Sequence, residues 1–92
     1  MYTNEIVENL LRCYYTLQTH PSATFSDYKL DLERELKRLK THSYSLYYTM
    51  INVLVNGVPI QRHAEDHRIS TRQVGRRLHD GVQLLTMMMN GG

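Results

Sequence analysis

The chain has 92 residues, 41% of them hydrophobic and 22% charged, a balance that gives a globular chain one modest core and not two. A net charge of +2 is too small to establish nucleic-acid binding, and a single cysteine excludes an intramolecular disulfide and a multi-cysteine zinc site. No run approaches the roughly 18 apolar residues of a membrane span, and Met1 is followed by polar and acidic residues rather than a signal peptide, so a cytoplasmic protein is expected.

Thr3 or Asn4 is placed to cap a first helix, with Glu5 and Glu8 near its positive end. Ile6, Leu10, Tyr14 and Leu17 recur at helical spacing, and Val7 and Leu11 widen that face. The helix is expected to stop near Thr19, because Pro21 disfavours helix in the residue before it. Cys13 lies inside it and reads as a small core residue. Residues 20–25 read as a loop, with Phe25 folding back onto the core. Ser26 is the expected cap of a second helix, on which Tyr28, Leu32, Leu36 and Leu39 form a narrow stripe. That stripe covers about two heptads, short of the three or four a coiled coil wants. Thr41 to Ser45 breaks the pattern. The third helix carries Leu46, Tyr47, Met50, Ile51, Val53 and Leu54 and is apolar around much of its circumference, so it should be the most buried.

Asn56-Gly57 ends that helix, since Gly tolerates a left-handed C-terminus. Pro59 suits the start of a short helix over 59–67. Arg68-Ile69 is a turn. Ser70 and Gln73 form a Ser-x-x-Gln capping box that opens a long last helix, whose apolar stripe is Val74, Leu78, Val82 and Leu85. The last helix runs into three consecutive methionines, which cannot all face one core. No strand pattern is present. The expected fold is all-α, about five helices in a single helical domain over 1–92, with an N-terminal helical hairpin over 1–42 and a helix-turn-helix unit over 43–89.

Residues 46–86 resemble the helix-turn-helix of sigma factor region 4. Gly57, Ala64, Ile69-Ser70, Val74 and Leu78 fall where that family has its Gly-rich break, buried Ala, apolar-Ser/Thr turn and recognition-helix Val and Leu. Among stand-alone chains of this size, the resemblance is to the small ArpU/RinA-type regulators of phage late genes. His63 and His67 stand where the family has apolar residues, Arg68 where Gly is common, and Pro59 where Ser or Thr caps. The resemblance implies a sequence-specific, DNA-binding transcriptional regulator, encoded by a phage or mobile element and acting in the host cytoplasm. It reads the major groove with the helix that starts at Ser70.

The charge placement agrees. Up to Ser45 there are six basic and six acidic residues; beyond it there are five arginines and three acids. Arginine suits bidentate contacts to phosphate and guanine. By analogy with the family, Ser70, Thr71, Arg72, Gln73 and Arg76 face the groove, with Arg62, Arg77 and His79 on phosphates. Gly75 reads either as a point of close DNA approach or as easing packing against the third helix. His63-x-Glu65-x-His67 is the nearest approach to a metal motif, but it lacks a third ligand. The two histidines are expected to pack on tyrosines or bond locally, and no metal or cofactor is assigned. There is no phosphate-binding loop or activated nucleophile, so no enzyme is expected. The expected partners are double-stranded DNA, RNA polymerase and a second copy of the chain, dimerised through Tyr28, Leu32, Leu36 and Leu39. The competing reading is a protein-interaction module that keeps the helix-turn-helix as scaffold and uses its Tyr/Met surface, or a small terminase-type DNA-packaging component.

Overall fold

In a computed structural model, which describes residues 1–15 and 23–91 with the side chains of 23–26 excepted, the chain forms five α-helices and no strand among the described residues. They are α1 (Asn4–Arg12), α2 (Ala23–His42), α3 (Tyr44–Met50), α4 (Ile60–His67) and α5 (Thr71–Met89). α3 runs on into a π-helical turn, Ile51–Val55. No described helix is long and apolar enough to cross a membrane. The loop expected over residues 20–25 is overturned at its end, where residues 23–25 already belong to α2, and α1 ends at Arg12, short of the expected stop near Thr19; the rest of that loop, the place of Leu17 and the packing of Phe25 lie outside the described residues.

Local chemistry sets most boundaries. The Thr3 hydroxyl accepts from the Ile6 amide at 3.2 Å and starts α1. α1 ends at Arg12, where the Cys13 amide closes back on the Asn9 carbonyl. Cys13 is exposed, not a core residue, because it follows the last full turn. The apolar face of α1 is also rotated from the expected stripe: Val7 and Leu11 are fully buried, whereas Ile6 is exposed. Both sets sit at helical spacing, so periodicity alone does not choose between them. α2 begins at Ala23, which places Ser26 inside the helix and not at its cap. Only Ser43 separates α2 from α3.

One hydrophobic cluster joins Val7 and Leu11 of α1, Leu32, Leu36 and Leu39 of α2, Met50 of α3, Val53, Leu54 and Val55 of the π-helical turn, Ala64 of α4, and Val74, Val82, Leu85 and Met88 of α5. α5 is its spine: α1, α2, α3 and α4 all pack on it. The three α2 leucines are therefore consumed by the chain's own core, and the dimer seam expected from them is not a free surface. Of that set only Tyr28 is exposed, and its ring meets Tyr2 edge-on.

The π-helical turn explains an otherwise odd burial pattern. Val53, Leu54 and Val55 are buried in succession, which a regular α-turn with 100° per residue does not allow on one face. The widened turn, with the Asn56 amide on the Ile51 carbonyl at 2.9 Å, changes the angular spacing. Gly57 then adopts φ +74°, and α4 starts after Pro59 with the His63 amide on the Pro59 carbonyl. α4 stops in a left-handed residue, Arg68, at φ 55°; the Ile69 amide reaches the Ala64 carbonyl and the Arg68 amide the Glu65 carbonyl, the Schellman pattern. The capping box of α5 is complete: Gln73 N–H to Ser70 Oγ and Ser70 N–H to Gln73 Oε1, both 3.1 Å.

Candidate nucleic-acid interface

α4, the turn Arg68 to Ser70 and the first half of α5 present the candidate site. The buried side of α5 holds Val74, Val82 and Leu85, with Leu78 and Ile69 partly buried around them. That anchoring fixes which residues look outward: Thr71, Arg72, Gln73, Gly75, Arg76 and His79 are exposed. Arg72 and Arg76 are one turn apart on the same outward face. Ser70 and Gln73, also expected there, spend their hydroxyl and carbonyl oxygens on the helix cap; Gln73 keeps only its amide protons for another partner. Gly75 lies on the open face, and a Cβ built there meets nothing within 4 Å. The reading of Gly75 as a packing glycine against the third helix is therefore corrected. That role belongs to Gly81, where a Cβ meets the Met50 sulfur at 2.9 Å.

The charge pattern distinguishes this end of the molecule. Arg12 pairs with Glu8, Arg34 with Asp31 and Glu35, and Arg38 with Glu35 at 2.7 Å. Arg62 reaches Asp66 only at 3.9 Å, with both side chains mostly exposed. By contrast, Arg68, Arg72, Arg76 and Arg77 form no ion pair among the described residues. Arg68 stands outside the predicted contact set, and its place in the turn beside Ser70 was the signal for it.

Arg77 parts company with the outward face. It is half-buried and lines a groove with Tyr44, Ser45, Tyr48, Thr49, His63, His67 and Ile69. In that groove Tyr44 stacks on Tyr48 with centroids 6.1 Å apart at 25°, and Tyr48 meets His67 edge-on at 5.3 Å. His63 and His67 are 4.3 Å apart, centroid to centroid. His63 is 1% exposed, and its Nδ1 accepts from Asn52 Nδ2 at 2.7 Å, which puts the neutral ring's proton on Nε2. Burial pushes its pKa below the usual value; nearby His67 and Arg77 push the same way, and Asp66 opposes them. The histidines pack on a tyrosine and bond locally, as the pattern suggested. The tyrosine groove itself was not foreseen, because Tyr44 and Tyr48 are distant in sequence from Arg77 and no local motif links them.

Searched against protein-family models, characterised proteins and solved structures, the chain matches none.

Proposed function

We propose that the chain is a sequence-specific, double-stranded-DNA-binding transcriptional regulator that uses α4, its turn and α5 as a helix-turn-helix. One observation carries the reading. Arg72 and Arg76 stand exposed on a single face, with no ion pair among the described residues, at the start of a helix whose cap is complete and whose back is buried. A rigid helix end with free guanidinium groups suits the major groove, where Arg reads guanine edges and neutralises phosphate. Gly75 between them leaves room for a close backbone approach.

The test is a binding titration on a site selected from random duplex and on unrelated duplex. Arg72→Ala or Arg76→Ala costs about 1–3 kcal/mol on the selected site and much less on the unrelated one. Arg77→Ala, turned away from that face, weakens both about equally. Equal losses for all three variants on both duplexes leave only non-specific binding and sink the specific reading. An absence of binding by the parent chain at low salt sinks DNA binding altogether and turns attention to the exposed Tyr15, Leu30, Tyr44 and Met87 as a protein-contact surface.

A further inference from the structure

The groove between α3, α4 and α5 shares only Arg77 with the DNA reading and is built differently from the rest of the surface. Its walls come from three helices and the Ile69 turn. Two stacked tyrosine rings form one side; Tyr44 is 59% exposed and also meets Tyr47 at 6.2 Å, tilted. The groove is lined by two imidazoles and the Arg77 guanidinium, a cation without an ion pair among the described residues, and no carboxylate is part of the lining. Donors are therefore plentiful: the Arg77 fork, the imidazole N–H groups, and the hydroxyls of Tyr44, Tyr48 and Ser45. A flat aromatic platform beside a patch rich in donors and cations matches a ligand with a flat ring at one end and an anion at the other. An aromatic carboxylate has the ring but only a single charge. A phosphate monoester near neutral pH carries close to two charges and three acceptor oxygens, which answers both the Arg77 fork and an imidazole N–H of His67.

We propose that this groove binds a nucleoside 5′-monophosphate, the base stacking on Tyr44 and Tyr48 and the phosphate held by Arg77 and His67. Base stacking on aromatic rings is tolerant of base identity, so the site selects for the nucleotide class and not for one base. Arg77 is the chief phosphate ligand because its planar fork pairs two oxygens at once. His67, on the exposed rim, adds a second donor. His63 stays neutral against Asn52 and fixes the ring of His67 from behind. The site lies beside the outward face of Arg72 and Arg76 and does not depend on DNA binding.

The experiment is calorimetric titration of the full chain with adenosine 5′-monophosphate, with adenosine and inorganic phosphate as separate half-ligands. The imidazole resonances of His63 and His67 are followed in parallel by NMR. The nucleotide should bind at one site, roughly tenfold or more tighter than either half, and shift both imidazoles. Arg77→Gln should weaken it by about tenfold. Tyr44→Ala, at a mostly exposed position that folding does not need, should abolish the advantage of the nucleotide over phosphate. A 5′-phosphorylated dinucleotide distinguishes a free nucleotide from a strand end, according to which binds tighter. Failure to saturate by about 10 mM, equal affinity for phosphate and nucleotide, or unchanged affinity in both variants would overturn the proposal. None of these results bears on the specific losses expected at Arg72 and Arg76, which lie outside the groove.

Discussion

At the scale of single residues, two side chains hold conformations or protonation states that the surrounding fold imposes. Arg68 is the only non-glycine residue with positive φ among the described residues. The left-handed region costs an L-residue about 1–2 kcal/mol, partly offset by the greater chain entropy a glycine would lose. Arg68→Gly should therefore stabilise the chain by about 0.5–1 kcal/mol, seen as a rise in denaturant midpoint at unchanged slope; a lower midpoint would show that the Arg68 side chain contributes more than its strain costs. His63 provides the second case. Its folded pKa is lowered, so the unfolded chain takes up more protons wherever the two states differ. Its contribution is complete above the unfolded value near 6.5 and is lost as pH falls from there toward the depressed folded value. The groups that face it are His67 and Asp66 of α4, Arg77 of α5 and Asn52 of the π-helical turn. Thermal midpoints should drop between pH 7.5 and 5.5, and His63→Gln, which keeps an acceptor for Asn52, should flatten that drop. An equal drop in the variant would assign the effect to other groups. The turn at Arg68-Ile69 was legible between two helical patterns, but its left-handed φ was not; nor was the burial of His63, because a histidine in a polar stretch gives no sign of what packs over it.

At the scale of elements, the signals carried by adjacent residues were the readable ones. Ser70 with Gln73, Asn56-Gly57 and Pro59 each satisfy or release backbone groups within one turn, and the structure places helix ends at all three. The rotation of α1 toward Val7 and Leu11, the start of α2 at Ala23 and the π-helical turn depend on partners far along the chain, and so could not be read locally. The two glycines of α5 turn this contrast into an experiment. Both sit mid-helix, where Gly is about 1 kcal/mol worse than Ala. Gly75→Ala meets open space and should recover that full amount, while lowering DNA affinity if the backbone approaches there. Gly81→Ala must shift Met50, which is fully buried and has little room. Gly81→Ala should thus be about 1–2 kcal/mol less stable than Gly75→Ala by urea unfolding; equal stabilities would mean that Met50 repacks freely. Ala64, 3% exposed between α4 and α5, tests the packing of the pair. Ala64→Glu forces a charge into that contact and should cost about 3 kcal/mol or more. A cooperatively folded variant of near-parent stability would show that α4 docks differently.

At the scale of the whole molecule, the question is where net charge can act on a partner. The formal +2 is small, yet the arginines of α1 and α2 are already tied to carboxylates, including the buried Glu35. Among the described residues, the arginines outside any ion pair are concentrated at the turn and the first half of α5, in Arg68, Arg72, Arg76 and Arg77, while the unpaired cations of α2 are lysines. This asymmetry emerges only when pairing is known: the excess of arginine beyond Ser45 is legible in the sequence, but which arginines meet carboxylates is not. It also predicts how binding responds to salt. Each phosphate neutralised on B-DNA contributes about −0.9 to the slope of log affinity against log salt. Four free arginines then set a slope of roughly −3 to −4, shallow for a DNA-binding protein but far from zero. Removing Arg77 should reduce the slope by about one unit. Lys37→Ala, an exposed cation on α2 away from that end, should leave it unchanged. A slope near zero for the parent would mean that phosphate contacts do not drive association. A loss at Lys37 as large as that at Arg77 would spread the binding over the whole surface and leave α5 without a special role. The combination of a slope near −3, sensitivity at Arg77 and silence at Lys37 is expected only if the first half of α5 meets the duplex.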